Sequence, residues 1–170
     1  MAILTDDMKR VIREQSLGFV ATVCPDGTPN LSPKGTLSVW DDDTLIFADL
    51  ASPTTMANIL ANPAVEVNVV DPLRRKGYRF KGRASVHHAG SLFDDAVHFF
   101  EEHGIDRSRI HGVVVVVVQR ALAVLSPAYA RGMSEAEIVD QFARRVEVIH
   151  GWKIERHEGG GGGVLGKPPV

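Results

Sequence analysis

Alternation of apolar and polar residues along the chain predicts short antiparallel strands separated by helices. In residues 65–69, valine alternates with Glu66 and Asn68, which is the two-residue period of a half-buried strand. Other predicted strands are bounded by turn residues; they cover residues 17–23, 30–40, 44–48 and 78–86. Residues 113–125 are rich in valine, which predicts a central strand buried on both faces for much of its length.

Helical spacing and capping residues predict the remaining elements. An amphipathic helix follows Thr5 and ends near Ser16, and three more cover residues 52–61, 91–103 and 134–146. Ser134 and Glu137 have the spacing of a capping box. Because the βαβ rhythm of a doubly wound fold is missing from the sequence, we expect a mainly β, α+β fold: an antiparallel barrel of about six strands decorated by helices.

The length of 170 residues predicts one domain, which we assign to residues 1–156 with the helix 134–146 at its C-terminal end. After Trp152 the chain contains five consecutive glycines and a Pro-Pro pair. Residues 157–170 are therefore expected to form a flexible tail, because such a segment cannot bury enough apolar surface to offset its ordering entropy.

Composition and charge exclude some classes of function. The residues are 44% hydrophobic and 24% charged, and the formal net charge is −2, which gives no general attraction to nucleic acid or to anionic lipid. The longest apolar run, Val113–Val118, is too short to span a membrane. Cys24 is the only cysteine, so no intrachain disulfide can form and a reducing cytoplasm is the expected location.

A candidate phosphate site lies where the predicted strand 44–48 is followed by a helix. Ser52 is at the N-cap position, Pro53 is the first helical residue, and Thr54 and Thr55 follow. Free backbone N–H groups, the positive end of the helix dipole and hydroxyl groups together suit a phosphate dianion. The alternative is that Ser52 only caps the helix.

A second candidate segment is the strand 30–40. Pro33 and Gly35 interrupt it, which indicates a bulge or a close approach by another group. Lys34, Thr36 and Ser38 lie two residues apart and so project from one face, where they would suit an anionic or hydrogen-bonding ligand. The alternative is a solvated face. Arg79 and Lys81 repeat this arrangement on the later strand 78–86.

The histidines and carboxylates follow no catalytic or metal-binding pattern. His87, His88, His98 and His103 lack the ligand spacing of a zinc site, and residues 41–43 lack the loop and the closing glutamate of a calcium site. A Gly-x-Ser-x-Gly nucleophile motif is also missing from the sequence. We therefore predict neither a metal site nor a nucleophilic catalytic residue.

In their order and spacing, these segments resemble the pyridoxamine 5'-phosphate oxidase-like family of FMN-binding split barrels. The resemblance covers residues 7–126, the core of the domain; its marks are the turn 25–29, Ser-Pro-Lys-Gly-Thr at 32–36, the helix 52–61 with Asn62-Pro63, and Gly-Arg-Ala at 82–84. It implies an antiparallel split β-barrel. It also implies a homodimer that binds two FMN molecules at the subunit interface.

The resemblance assigns cofactor-binding residues by position. The flavin ring or ribityl chain would lie along Lys34, Gly35 and Thr36 and above Ala48, Asp49 and Leu50. The phosphate would be held by Ser52, Thr54 and Thr55 with added charge from Arg79 or Lys81, and Trp152 of the other subunit would cover the ring.

One departure from the family pattern affects this assignment. Many relatives have Ser-Arg-Lys where this chain has Ser52-Pro53-Thr54, so two phosphate-binding cations are missing. FMN affinity is expected to fall unless Lys34, Arg79 and Lys81 compensate. The basic loop 74–76 is a further candidate for a phosphate or an acidic substrate, or else a solvated loop.

The implied function is an FMN-dependent oxidoreductase that acts on a small molecule, with an electron donor such as NAD(P)H. The flavin carries the electrons, so a protein acid or base is not strictly required. Two alternatives stay open: a non-catalytic flavin carrier or stress-related binding protein, and the same fold using a deazaflavin or haem. The missing Arg-Lys pair favours either alternative.

Overall fold

The computed structural model describes residues 2–152, 154–155 and 164–165. Its helices and strands, in chain order, are α1 (Asp6–Gln15), β1 (Gly18–Val23), β2 (Pro29–Lys34), β3 (Ser38–Val39), β4 (Thr44–Asp49), α2 (Pro53–Ala61), β5 (Ala64–Asp71), β6 (Lys76–His87), α3 (Ser91–Glu102), a 3₁₀ turn (Arg107–Arg109), β7 (Gly112–Leu125), α4 (Pro127–Ala130), α5 (Glu135–His150), β8 (Ile154–Glu155) and β9 (Val164–Leu165). Except for Val164–Leu165, which pairs with Ile154–Glu155, the predicted tail 157–170 lies outside the described residues.

The chain forms two compact units. The first comprises the residues up to Val70 together with Gly77–Val124, and the second comprises Asp71–Lys76 together with the residues from Leu125 onward. The first unit holds most of the strands, and the second holds α4 and α5. The assignment of residues 1–156 to one domain stays a prediction.

Seven antiparallel strands form the sheet, in the order β2-β1-β5-β6-β7-β4-β3. The two strands at the ends of this order, β2 and β3, are consecutive in the chain and are joined by residues 35–37. The sheet therefore curls back on itself. The predicted α+β antiparallel fold is confirmed. The break at Gly35 divides the predicted strand 30–40 into β2 and β3, which gives seven strands instead of about six.

Two apolar clusters form the core of the first unit. One gathers inward-facing side chains of the sheet, including Val20, Phe47 and Phe80, with Val11 and Ile12 of α1. The other lies on the opposite face of β4 and β7 and gathers the side chains Ile46, Val113, Val115, Ala96, Val97 and Phe100, the last three from α3. Since apolar residues cover both of its faces, β4 is buried along its whole length.

Strand β7 is less buried than the valine run predicted. Its residues are buried from Gly112 to Val116, whereas Val117 is exposed and most later positions are exposed or half-buried. The physical reason is that α3 covers only the first part of the strand, where it packs on Val113 and Val115.

The capping box of Ser134 and Glu137 is confirmed, and α5 continues four residues beyond the predicted end.

Candidate functional site

A cavity of about 440 Å³ lies in the first unit, where β2 and β4 end and α2 begins. This volume is within the range of roughly 300–1,000 Å³ that is usual for small-molecule sites. The cavity is lined by Pro33, Lys34, Gly35, Thr36, Ala48, Leu50, Ala51, Ser52, Ile105 and Arg109. The two candidate segments of the sequence therefore meet at one site.

Lys34 is the last residue of β2, and only 4% of it is exposed. Its Nζ donates to Ser32 Oγ and to Ser52 Oγ, each at 2.6 Å, and lies 5.7 Å from the centroid of the Phe47 ring. Burial lowers the pKa of Lys34 below the ordinary 10.5, and the nearby charge of Asp49 opposes this shift. A partly desolvated ammonium held in this way attracts an anion more strongly than a solvated lysine does.

The start of α2 is open toward this lysine. Ser52 occupies the N-cap position, but its hydroxyl accepts from Lys34 Nζ and makes no hydrogen bond to the described first turn. The Ser52 side chain therefore does not cap the helix, and its role in binding a phosphate stays a prediction. The Met56 N–H makes the first intrahelical bond, to the Ser52 carbonyl at 3.0 Å, so the N–H groups of Thr54 and Thr55 precede the helical ladder. Such groups are suitable donors to an anion.

Thr36 also lines the cavity. Its Oγ1 donates to the Ala48 carbonyl at 3.2 Å and accepts from the Ala48 N–H at 3.0 Å. This reciprocal pair ties the link between β2 and β3 to the end of β4. Gly35, Ala48 and Leu50 were predicted to contact one ligand, and all three line this cavity. The pair of hydrogen bonds between Thr36 and Ala48 brings the two segments together.

Three predicted cofactor residues lie near the cavity without lining it. The side chain of Asp49 is buried, and its Oδ1 accepts from the Ser52 N–H at 2.9 Å. Thr55 is also buried, and its Oγ1 accepts from Asn30 Nδ2 at 3.3 Å. Thr54 is exposed on α2. Asp49 thus positions Ser52, and Thr55 belongs to the packing under the helix.

Two further predicted cations are engaged elsewhere in the chain. Arg79 Nε lies 2.5 Å from Glu66 Oε1, and Lys81 Nζ lies 3.4 Å from Glu66 Oε2, across the β5–β6 pair. Neither side chain is among the described residues that line the cavity. Trp152 is in the second unit, where its ring lies 5.2 Å from that of His150. The roles assigned to these three residues in cofactor binding stay predictions.

Two residues that line the cavity, Ile105 and Arg109, were not predicted from the sequence. Both come from the segment between α3 and β7. The Ile105 N–H donates to the Phe100 carbonyl at 2.9 Å, and Asp106 Oδ1 accepts from the Ser108 N–H at 2.8 Å, which shapes this segment. The Asp-x-Ser sequence at 106–108 indicates a local turn. Nothing in the sequence indicates that this segment lies beside the cavity.

Two other kinds of feature are absent from the described ranges of the chain. These ranges contain no group of three or more His, Cys, Asp or Glu side chains arranged to hold a metal ion. Within the same residues, no helix combines the length and apolar character needed to cross a membrane.

Comparisons with known proteins agree on the architecture. A family model described as pyridoxamine 5'-phosphate oxidase matches residues 4–126. The crystal structure of tagged HupZ from Group A Streptococcus is 33% identical, with a TM-score of 0.66, and the match covers 72% of this chain and 94% of that one. An FMN-binding protein from Syntrophomonas wolfei is 19% identical, with a TM-score of 0.61, over 72% of this chain and 87% of that one. This second likeness shows the fold, and the predicted split barrel is confirmed.

A relative among curated sequences is an uncharacterized protein, MJ0282, from Methanocaldococcus jannaschii. It is 30% identical over 89 residues, which are 51% of this chain and 58% of the relative. The chain therefore matches little more than half the length of this relative.

Proposed function

Because the chain belongs to the pyridoxamine 5'-phosphate oxidase family, we propose that it binds FMN in the cavity beside Lys34 and acts as an oxidoreductase on a small molecule. The observation that carries this proposal is the position of the buried Lys34 ammonium, 2.6 Å from Ser52 Oγ at the open start of α2. A fixed cation lines the cavity beside the start of α2, where the first N–H groups of the helix precede its hydrogen-bond ladder, and both features are complementary to a phosphate group.

The residues of the cavity suit a flavin phosphate. Lys34 and Arg109 provide two cations. This equals the number of cations in the Arg-Lys pair that the sequence lacks after Ser52. Leu50, Ile105 and Ala48 provide apolar surface for a ring system. Charge-assisted hydrogen bonds contribute about 1.5–3 kcal/mol each, so two cations are enough to make the phosphate a main determinant of affinity.

The chain's own side chains bind and orient the ligand. Bound FMN supplies the transfer of hydride or single electrons. The described lining residues include no histidine, cysteine or carboxylate, so we assign proton transfer to none of them. Lys34, fixed by two hydroxyl groups, holds a positive charge at Nζ, and Thr36 keeps the wall of the cavity in place through Ala48.

A homodimer is the second part of this proposal. On the outer face of the sheet, Leu31 of β2 is 64% exposed and lies opposite Ala21 of β1. Phe19 and Val23, which lie two residues before and after Ala21 on β1, are also exposed. A contiguous apolar surface of this kind is typical of a protein–protein interface. Its position on strands next to the cavity supports an assembly in which the cofactor lies near a second copy.

Purified protein provides the decisive experiment. We expect a yellow protein whose released ligand has the mass of FMN. If the protein is colourless as purified, we expect it to turn yellow when FMN is added and to keep that colour after desalting. Bleaching by NAD(P)H and recovery in air would support the oxidoreductase, whereas retention of FMN without this bleaching would support a flavin carrier. Retention of a deazaflavin or haem but not of FMN would contradict the proposal, and light scattering would test the dimer.

A further inference from the structure

A second cavity, of about 230 Å³, lies entirely within the second unit. It is lined by Arg75 and by four residues of α5, namely Ile138, Gln141, Phe142 and Arg145. The four helical residues are spaced i, i+3, i+4 and i+7, so they form one face of α5. Ile138 is buried at the base of this face. The cavity thus combines an apolar floor, one amide and two guanidinium groups.

Arg75 differs from its two basic neighbours in its partners. Arg74 Nη1 lies 2.7 Å from Asp71 Oδ2, and Arg74 Nε lies 3.0 Å from Glu135 Oε1. Lys76 Nζ lies 2.6 Å from Glu135 Oε2. These two carboxylates compensate Arg74 and Lys76, whereas Arg75 forms no ion pair with any described residue. The same holds, among residues 2–152, for Arg145.

The backbone at Arg75 is held by α4. The Arg75 carbonyl accepts from the Ser126 N–H at 3.0 Å, and the Arg74 carbonyl accepts from the Tyr129 hydroxyl at 2.7 Å. Arg75 itself has φ +52°, a left-handed conformation that a non-glycine residue seldom adopts. Two hydrogen bonds on consecutive carbonyls keep the backbone of this turn in place.

We propose that Arg75 and Arg145 form a binding site for a small molecule that carries a carboxylate or phosphate group next to an apolar portion. Two guanidinium groups line one cavity without a carboxylate among its lining residues, and such a lining attracts an oxyanion. Guanidinium groups match carboxylate and phosphate geometry with paired donors. Ile138 and Phe142 would contact the apolar portion, and Gln141 would add a hydrogen bond. The proposal does not depend on FMN binding, since the two cavities share no lining residue.

Benzoate and phenyl phosphate are suitable probes, because both join an oxyanion to an apolar ring. We would follow their binding by chemical-shift changes in the backbone of residues 138–145 and in the Gln141 side-chain amide, with and without FMN. We expect saturable shifts with at least one probe, and none with neutral benzyl alcohol. The probe that binds more tightly identifies the carboxylate or the phosphate as the preferred group.

Variants test the two arginines. Arg75→Gln and Arg145→Gln should each weaken the better probe about tenfold or more, which is the loss expected for one charge-assisted contact. Arg145→Lys should bind with intermediate affinity, since it keeps the charge without the paired donors. Arg144→Gln removes a charge from the neighbouring position of α5, which does not line the cavity, and should change affinity less than twofold.

Three results would overturn the proposal: no saturable shifts with either probe, equal weakening by Arg144→Gln, or shifts confined to the residues around Lys34. Circular dichroism would show that each variant keeps its helix content. If Arg75→Gln unfolds, the comparison of Arg145→Gln with Arg145→Lys decides the question alone.

Discussion

Lys34 Nζ, at the end of β2, donates to Ser52 Oγ, at the N-cap position of α2, across 2.6 Å. This bond joins two segments that are separated by 18 residues in the chain. It directs the serine hydroxyl away from the helix, which leaves the first turn open to a ligand. The same bond fixes a desolvated cation beside that turn.

Replacing Lys34 by methionine should weaken FMN binding about ten- to a hundredfold, because one charge-assisted contact to the phosphate is lost. Riboflavin has no phosphate, so its affinity should change less than threefold. Fluorescence titration of both ligands measures the two effects. A similar loss for FMN and riboflavin would show that Lys34 does not contact the phosphate.

Affinity for FMN should fall at alkaline pH. Burial lowers the pKa of Lys34 below 10.5, so its ammonium loses its proton earlier than an ordinary lysine does, and the attraction to the phosphate is lost as the pH rises through that lowered value. Titrations between pH 7.5 and 10 should show this decline for FMN but not for riboflavin. The decline should disappear in Lys34→Met and persist in Arg109→Gln, since arginine does not titrate in this range.

Arg109→Gln should also weaken FMN binding about tenfold, because it removes the second cation that lines the cavity. Arg107 provides a matched control from the same 3₁₀ turn: it does not line the cavity and its Nη1 lies 3.9 Å from Glu101 Oε2. Arg107→Gln should leave affinity within about twofold of the original. If the two variants behave alike, only the general charge of the segment matters.

The helix α2 should depend on a buried amide for its position. Asn58 is buried, and its Nδ2 donates to Thr22 Oγ1 at 3.0 Å and contacts Cys24 Sγ at 3.4 Å. Asn58→Ala should lower the free energy of unfolding by about 1–3 kcal/mol, since it leaves buried polar groups without this partner. Urea unfolding measures the change, and the exposed Thr54→Ala should stay within about 0.5 kcal/mol.

Gly82→Ala should destabilise the sheet. A Cβ at this position would lie 2.3 Å from the Val117 carbonyl oxygen, so β6 and β7 would have to move apart. Overpacking of this kind costs about 1–3 kcal/mol. Gly35→Ala is the control, because a Cβ there meets nothing within 4 Å. Thermal unfolding should show a lower Tm for the first variant only, and equal Tm values would contradict the close approach.

Local patterns in the sequence were sufficient for much of the fold. The two-residue alternation at 65–69 and 78–86 corresponds to β5 and β6, because one face of each strand packs on the core. The chain breakers Pro33 and Gly35 marked the segment that lines the cavity. Capping residues located the starts of α1 and α5, since capping depends on residues that are close together in the chain.

Non-local features could not be predicted in this way. Arg109 reaches the cavity only because the segment after α3 turns back toward it. The pairing of Arg79 and Lys81 with Glu66 depends on which residues face each other across β5 and β6. The exposure of the later part of β7 depends on where α3 stops covering the strand. Each of these follows from tertiary packing, which periodicity does not report.

Residues 35–37 connect β2 to β3, the two strands at the ends of the pairing order; Lys34 is the last residue of β2, and Thr36 lies within the connection. A ligand that contacts both side chains would therefore hold the end of β2 and the connection to β3 in a fixed relative position, although β2 and β3 are at opposite ends of the strand order. Loading the cavity should slow amide hydrogen exchange in β2 and β3 together, although these two strands are not paired with each other.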